Sequence, residues 1–234
     1  TASPVGTPVS DHAKNAVMKV VKWLESEGHE VEERDNGVDG IQLMRDYYIM
    51  NSGEMNMTVK GLEQAIGREI TEDDIELEGW LMHVAGKSIS GADFSASLAS
   101  WDTAAAQMAK LHETYDFYIT PATADTAPKI GQLETSDEKR EEYLRKIHEG
   151  NQAEQQQLVY DMFLPSLTYT PFGMLANLTG QPAMSMPVYV SEEGLPLGVQ
   201  VIASKGEEHR LLQLAHQLEQ TDNWIGLKGN PYFK

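Results

Sequence analysis

Seven histidines and thirty-six carboxylates are the side chains best suited to acid–base or metal chemistry in this 234-residue sequence, and their spacing decides how far that goes. The histidines are His12, His29, His83, His112, His148, His209 and His216, and none belongs to a His-Glu-x-x-His pair. His209 and His216 share a helix face but stand two turns apart, too far for one metal ion. Asp35-Asn36-Gly37-Val38-Asp39-Gly40 begins like a calcium loop, with Asp46 at the twelfth position. Its third position is Gly37, which offers no ligand oxygen, and the twelfth is not the bidentate Glu that such loops use, so a plain turn is expected. Ser88, Ser90, Ser95, Ser97 and Ser100 crowd one segment without a neighbouring base or oxyanion donor, and read as caps and packing residues. There is no Gly-x-Ser-x-Gly elbow and no phosphate-binding glycine loop. Carboxylates are plentiful enough for a two-acid glycosidase, but abundance supplies no geometry.

One stretch stands apart. It runs Tyr169-Thr170-Pro171-Phe172-Gly173-Met174-Leu175-Ala176-Asn177-Leu178-Thr179-Gly180-Gln181-Pro182-Ala183-Met184-Ser185-Met186-Pro187 and continues through Gly194-Leu195-Pro196-Leu197-Gly198-Val199-Gln200-Val201-Ile202. Read physically, this is a structured loop over 164–182 feeding a buried hairpin of Met184–Tyr189 and Leu197–Ile202. Ser191-Glu192-Glu193-Gly194 forms the turn. Gly180 permits a positive φ and Pro182 sets the next turn. Pro187 cannot donate to a ladder, which places its strand at a sheet edge or ends it there.

The elements that must position this stretch follow from periodicity and caps. Ser10 caps a helix over 11–27, with Ala13, Ala16, Val17, Val20, Val21 and Leu24 at helical spacing and Gly28 as its stop. His29-Glu30-Val31-Glu32 alternates like a short strand. Residues 35–80 read as helical with breaks, one helix around Leu43–Met50 and another from Thr58 to Gly67. The acidic run 69–78 leads into a helix N-terminus. Ser90 and Asp93 form a capping box for a long helix whose stripe is Phe94, Leu98, Trp101, Ala105, Met108 and Leu111. Phe117 to Thr120 is a strand ended by Pro121, followed by loop to 137. Residues 137–163 are helical, with Gly150 as a break, and Glu207 to Glu219 is a final helix. The tail from Thr221 is expected to be loose. Residues 1–234 are taken as a single domain.

Composition narrows the function classes. The chain is 41% hydrophobic, enough for a sizeable core. Mean hydropathy is −0.41, and no apolar run approaches the roughly 18 residues of a membrane span. A formal charge of −18 repels phosphate backbones and anionic lipid, so neither nucleic acid nor membrane is an expected partner. The acidity reads as a solubility feature. With no cysteine, thiol nucleophiles, disulfides and Cys-based zinc sites are excluded. No targeting segment is visible, and a bacterial, cytoplasmic setting is the default expectation.

The 169–202 stretch resembles the C-terminal hallmark of the amidase-signature family: an Asn, then Thr-Gly, Pro-Ala, a Ser and a Pro, then a Gly-Leu-Pro-x-Gly-x-Gln strand and a helix with paired leucines, here Leu211-Leu212. Gly28-His29-Glu30-Val31, Asp116-Phe117-Tyr118-Ile119-Thr120-Pro121 and Ala127-Pro128-Lys129-Ile130-Gly131 agree with further family segments, in family order. Thr7-Pro8-Val9 and the Tyr169–Phe172 run look closest to the bacterial branch of 6-aminohexanoate cyclic-dimer hydrolases.

The resemblance implies an α/β fold with a mixed sheet flanked by helices, incomplete here, and an amide hydrolase working through a Ser–cis-Ser–Lys triad without metal or other cofactor. The Gly/Ser-rich loop of that triad has no match: Ser52-Gly53 and Ser90-Gly91 do not fit it. No catalytic residue is therefore carried over, the chain reads as the C-terminal part of a longer protein, and alone it is expected to be inactive. By resemblance the segment from Tyr169 to Met186 borders the cleft, so Tyr169, Thr170, Phe172, Asn177 and Met184 are candidates to bind a small-molecule amide. An incomplete sheet favours self-association. The alternatives are a non-catalytic amidase-like scaffold and an unrelated acidic binding module.

Overall fold

A computed structural model describes residues 1–226. In chain order the elements are α1 (Asp11–Ser26), α2 (Gly40–Ile66), α3 (Leu77–Gly86), α4 (Gly91–Leu111), β1 (Phe117–Pro121), α5 (Asp137–Glu149), α6 (Gln152–Tyr169), α7 (Gly173–Thr179), β2 (Ala183–Val190), β3 (Pro196–Ala203) and α8 (Glu208–Glu219). Where the sequence reads as a single domain, contacts cluster into two compact units. One comprises Thr1–Gly40, Ala104–Lys129 and the chain from Thr168; the other comprises Ile41–Thr103 and Ile130–Leu167. No helix among the described residues is long and apolar enough to cross a membrane.

The first unit is built on a three-stranded antiparallel sheet of order β1-β3-β2. Alternation gives the sheet one apolar face. Met186, Val188, Leu197, Val199, Val201 and Ala203 are buried there, against Ala13, Ala16, Val17, Val20 and Leu24 of α1 and Leu211, Leu214 and Leu218 of α8. Each fully buried Leu or Val contributes about 1.5–3 kcal/mol by leaving water. The helix is delimited as its sequence predicts. Ser10 Oγ accepts from Ala13 N, and after Glu27 the chain turns through Gly28 at φ +90°, where His29 N donates to the Leu24 carbonyl. Lys19 Nζ crosses to the Val188 carbonyl at 2.8 Å, covering one acceptor of the edge strand β2.

The second unit is helical. Its buried residues include Leu43, Tyr48, Val59, Leu81, Ile147 and Val159. Tyr48 of α2 stacks on Phe163 of α6, with centroids 4.9 Å apart and planes at 6°, and Tyr160 meets it edge-on. Gly86 lets α3 approach α2 closely: a Cβ there would stand 2.0 Å from the Ser52 carbonyl oxygen. The capping box at α4 forms in both directions, with Asp93 N donating to Ser90 Oγ at 3.1 Å and Ser90 N to Asp93 Oδ2 at 3.0 Å.

Five expectations are corrected. The sheet is antiparallel throughout rather than mixed, because the short 191–195 turn forces β2 against β3 and β1 runs antiparallel on β3's other edge. His29–Glu32 pairs with no strand among the described residues and stays irregular, with only Val31 leaning on the core. The two helices expected between 35 and 80 are one 27-residue helix. Gly53 lies within it, with Phe94 packed 3.2 Å from where its Cβ would stand. The 164–182 loop is helix on both sides of a short turn: α6 runs through Pro165 to Tyr169, and α7 follows. In α4 the expected stripe holds at Met108, which is buried, and at half-buried Phe94, Trp101, Ala105 and Leu111, but Leu98 is 40% exposed and Ser97 is buried instead. The expected loose tail lies, from residue 227 on, outside the described residues; before it, Ile225 N donates to the Pro187 carbonyl at 2.9 Å.

Candidate functional site

Most apolar side chains of β1, β2 and β3 use one face of the sheet; the intervening residues, the fully buried Ile202 among them, lie on the other. Thr120 of β1, Gln200 of β3 and Ser185 of β2 are directly opposed across the three strands and so share that second face. They form a polar row. Thr120 is buried, Gln200 half-buried and Ser185 exposed. The Thr120 hydroxyl donates to the Pro121 carbonyl at 3.0 Å. Gln200 Nε2 donates to Thr120 Oγ1 at 3.1 Å and to the Phe172 carbonyl at 3.1 Å. One side chain of the central strand thus holds both β1 and the turn that precedes α7.

That turn belongs to the segment singled out in the sequence, and buried hydrogen bonds fix the segment at both ends. At its start, Ala124 N donates to the Tyr169 carbonyl at 2.8 Å, and the Ala124 carbonyl accepts from Ser10 N at 2.9 Å. At its end, Gly180 takes φ +70° as the left-handed stop of α7, a conformation that favours glycine. The buried Thr179 hydroxyl faces the Leu175 carbonyl at 2.8 Å and Gln181 Oε1 at 2.9 Å, one proton shared between two acceptors. Gln181 Nε2 donates to the Ala203 carbonyl at 3.2 Å, and Ala203 N to the Pro182 carbonyl at 3.0 Å. The segment is tied to β3 through Gln200 at one end and Ala203 at the other.

The five candidates from sequence divide among different surroundings. Thr170 and Asn177 are exposed, Tyr169 is half-buried, and Phe172 is a core residue whose carbonyl, not its ring, meets Gln200. Tyr169, Thr170 and Phe172 come together at the turn, and Asn177 follows on α7. Met184 is on the opposite face of the sheet, packed against the α1–α8 core. Its neighbour Ser185 shares a face with Gln200. Thr120, Ser185 and Gln200 are not among the candidates that the sequence singles out. The signal that could have found them is the two-residue period itself, since they alternate with Met184, Met186, Val199 and Val201.

Titratable groups are peripheral to the row. The Tyr118 hydroxyl, on the same strand as Thr120, is pushed up by burial and by the nearby Asp35 carboxylate, against a hydrogen bond from Asn36. Asp35 and Asn36 form local turns with Gly37 N and Val38 N, the plain turn expected. Among the described residues no cluster of three His, Asp or Glu could hold a metal ion. The row holds two hydroxyls and an amide but no base. It can bind and orient a polar group such as an amide; it cannot by itself cleave one.

The amidase family's sequence profile matches residues 2–212. The chain is 39% identical over 219 residues to a lipoamidase of Enterococcus faecalis, an alignment covering 94% of this chain and 30% of the relative. It is 28% identical over 228 residues to the 6-aminohexanoate-cyclic-dimer hydrolase of Paenarthrobacter ureafaciens, covering 96% of this chain and 43% of the relative. A solved structure of a 6-aminohexanoate cyclic dimer hydrolase is similar over 94% of this chain and 43% of its own, with a TM-score of 0.77 and 28% identity. The chain spans less than half the length of each of these relatives.

Proposed function

This chain belongs to the amidase-signature family, and on that premise we propose that it forms the C-terminal portion of a serine-dependent amide hydrolase. In this reading the Ser–Ser–Lys machinery lies on chain beyond these 234 residues. The portion described supplies scaffold and one wall of the substrate cleft: the Tyr169–Phe172 turn, α7 and the Thr120–Gln200–Ser185 row. The observation that carries the reading is the double anchoring of the 169–182 segment to β3 by Gln200 and Gln181. One buried and one part-buried hydrogen bond immobilise a turn whose Thr170 is left exposed. Rigid support of an exposed segment suits a binding wall.

The substrates to try first are those named for the relatives, the cyclic dimer of 6-aminohexanoate and lipoyl amides. The isolated chain is expected to be inactive and to self-associate, with no metal or other cofactor needed by the whole protein, no nucleic-acid or membrane partner, and a cytoplasmic setting.

The test is to sequence the reading frame upstream of Thr1, express the whole product and assay amine release from a panel of linear and cyclic amides. A lysine followed by a Gly/Ser-rich Ser-Ser-Gly loop, together with hydrolysis that survives a chelator, supports the reading. A product lacking both, with no hydrolysis, makes the chain an amidase-like scaffold instead.

A further inference from the structure

Resting on the amidase reading above, we propose that Gln200 Oε1 is a substrate-binding acceptor, taking a hydrogen bond from the N–H of the bound amide. The orientation of this side chain follows from its partners. The Phe172 carbonyl can only accept, so the Gln200 amide nitrogen must face it, at 3.1 Å. The Thr120 hydroxyl spends its proton on the Pro121 carbonyl, so it too can only accept from Gln200, again at 3.1 Å. Both Nε2 hydrogens are thereby used, and a flip of the amide would set oxygen against oxygen at the Phe172 carbonyl.

Oε1 is left at the other end of a locked amide plane. It has no hydrogen-bond partner among the described residues, and it is not one of the oxygens sealed without a partner in the interior. Gln200 is half-buried, so Oε1 opens to solvent on the face that carries exposed Ser185, next to the Thr170–Phe172 turn. Ordering a Gln side chain costs rotamer entropy, a cost already met here in folding. Donation by both Nε2 hydrogens also polarises the carbonyl and strengthens it as an acceptor.

A fixed acceptor of this kind selects a chemical class. Amides with an N–H satisfy it. Tertiary amides and esters do not, and binding them leaves a desolvated oxygen unpaired, the situation in which binding sites discriminate most strongly. The substrate class assigned is primary and secondary amides.

The experiment compares kcat/KM of the whole protein on a secondary amide and on its N-methylated counterpart, in wild type, Gln200→Met and Gln200→Leu. Wild type is expected to favour the N–H substrate by roughly tenfold or more. Gln200→Met should bring that ratio close to one. Gln200→Leu, which also lacks an acceptor, should do the same, and it decides the matter should the Met variant fail to fold. If either variant lowers both substrates equally and leaves the ratio intact, or the wild-type ratio is itself close to one, Gln200 only holds the turn and the proposal is wrong. If the wild-type protein cleaves neither amide, the amidase reading itself falls and this inference goes with it.

Discussion

The Cβ that Gly198 lacks would stand 2.2 Å from Ser185 Oγ. Gly198 and Gln200 lie on the same face of β3, so the bare glycine leaves room for the Ser185 hydroxyl to lie over the strand beside Gln200. The other neighbours of that position, the Met186 carbonyl oxygen at 3.4 Å and Ala122 Cβ at 3.5 Å, are at ordinary contact distance. Gly198→Ala is therefore expected to cost about 1–3 kcal/mol through overpacking. Most of that cost should vanish in a Ser185→Ala background. A double-mutant cycle by urea unfolding reads the coupling, and additive losses would show that the hydroxyl is not the obstacle.

Thr179→Val keeps shape and removes the shared proton. Gln181 Oε1 then stays buried without that donor, which should cost about 1–3 kcal/mol. Because Gln181 anchors the segment to Ala203, the loss should appear as faster amide hydrogen exchange from Gly180 to Ala183. Unchanged exchange there would mean that the segment is held by other contacts.

At α4, Ser90→Ala removes one half of a reciprocal cap and should cost about 0.5–2 kcal/mol. Asp93→Asn retains an acceptor and should cost less. Equal losses, by thermal unfolding, would count against the capping geometry.

His83 supplies a pH dependence. It is buried at 2% exposure, its Nδ1 has no partner, and burial first, then Lys87 and Lys60, push its pKa below the ordinary 6.5, with Glu63 opposing. The folded state thus binds fewer protons at this group than the unfolded chain. Its contribution to stability is full above the ordinary pKa and is lost as pH falls past it toward the lower folded value. Unfolding midpoints should drop between about pH 7 and pH 5, and His83→Gln should flatten that slope. A slope unchanged by the substitution would assign the dependence to other groups, such as His112, also lowered by burial.

Local chemistry was enough to read much of this molecule from its residues. The Ser10 and Ser90 caps, the Gly28 stop, the break at Gly150, the β2–β3 hairpin and Pro187 on an edge strand are decided by φ preferences, missing donors and side-chain period, all carried by a few adjacent residues. The family likeness was legible in the same way, because turns such as Thr179-Gly180-Gln181-Pro182 tolerate few alternatives. Decisions that needed a distant partner were not legible. Gly53 lies within α2, with Phe94, far along the chain, packed beside it. Val31 forms no strand among the described residues and instead packs on the core. Met184 seemed a cleft residue in one dimension, and pairing with Val201 turned it to the core while Ser185 took the other face. The polar row has the same origin. Thr120, Ser185 and Gln200 are unremarkable in their own segments and become one surface only when strand register sets them side by side, since a two-residue period fixes the faces of a strand but not which face meets the core or which residues it meets there.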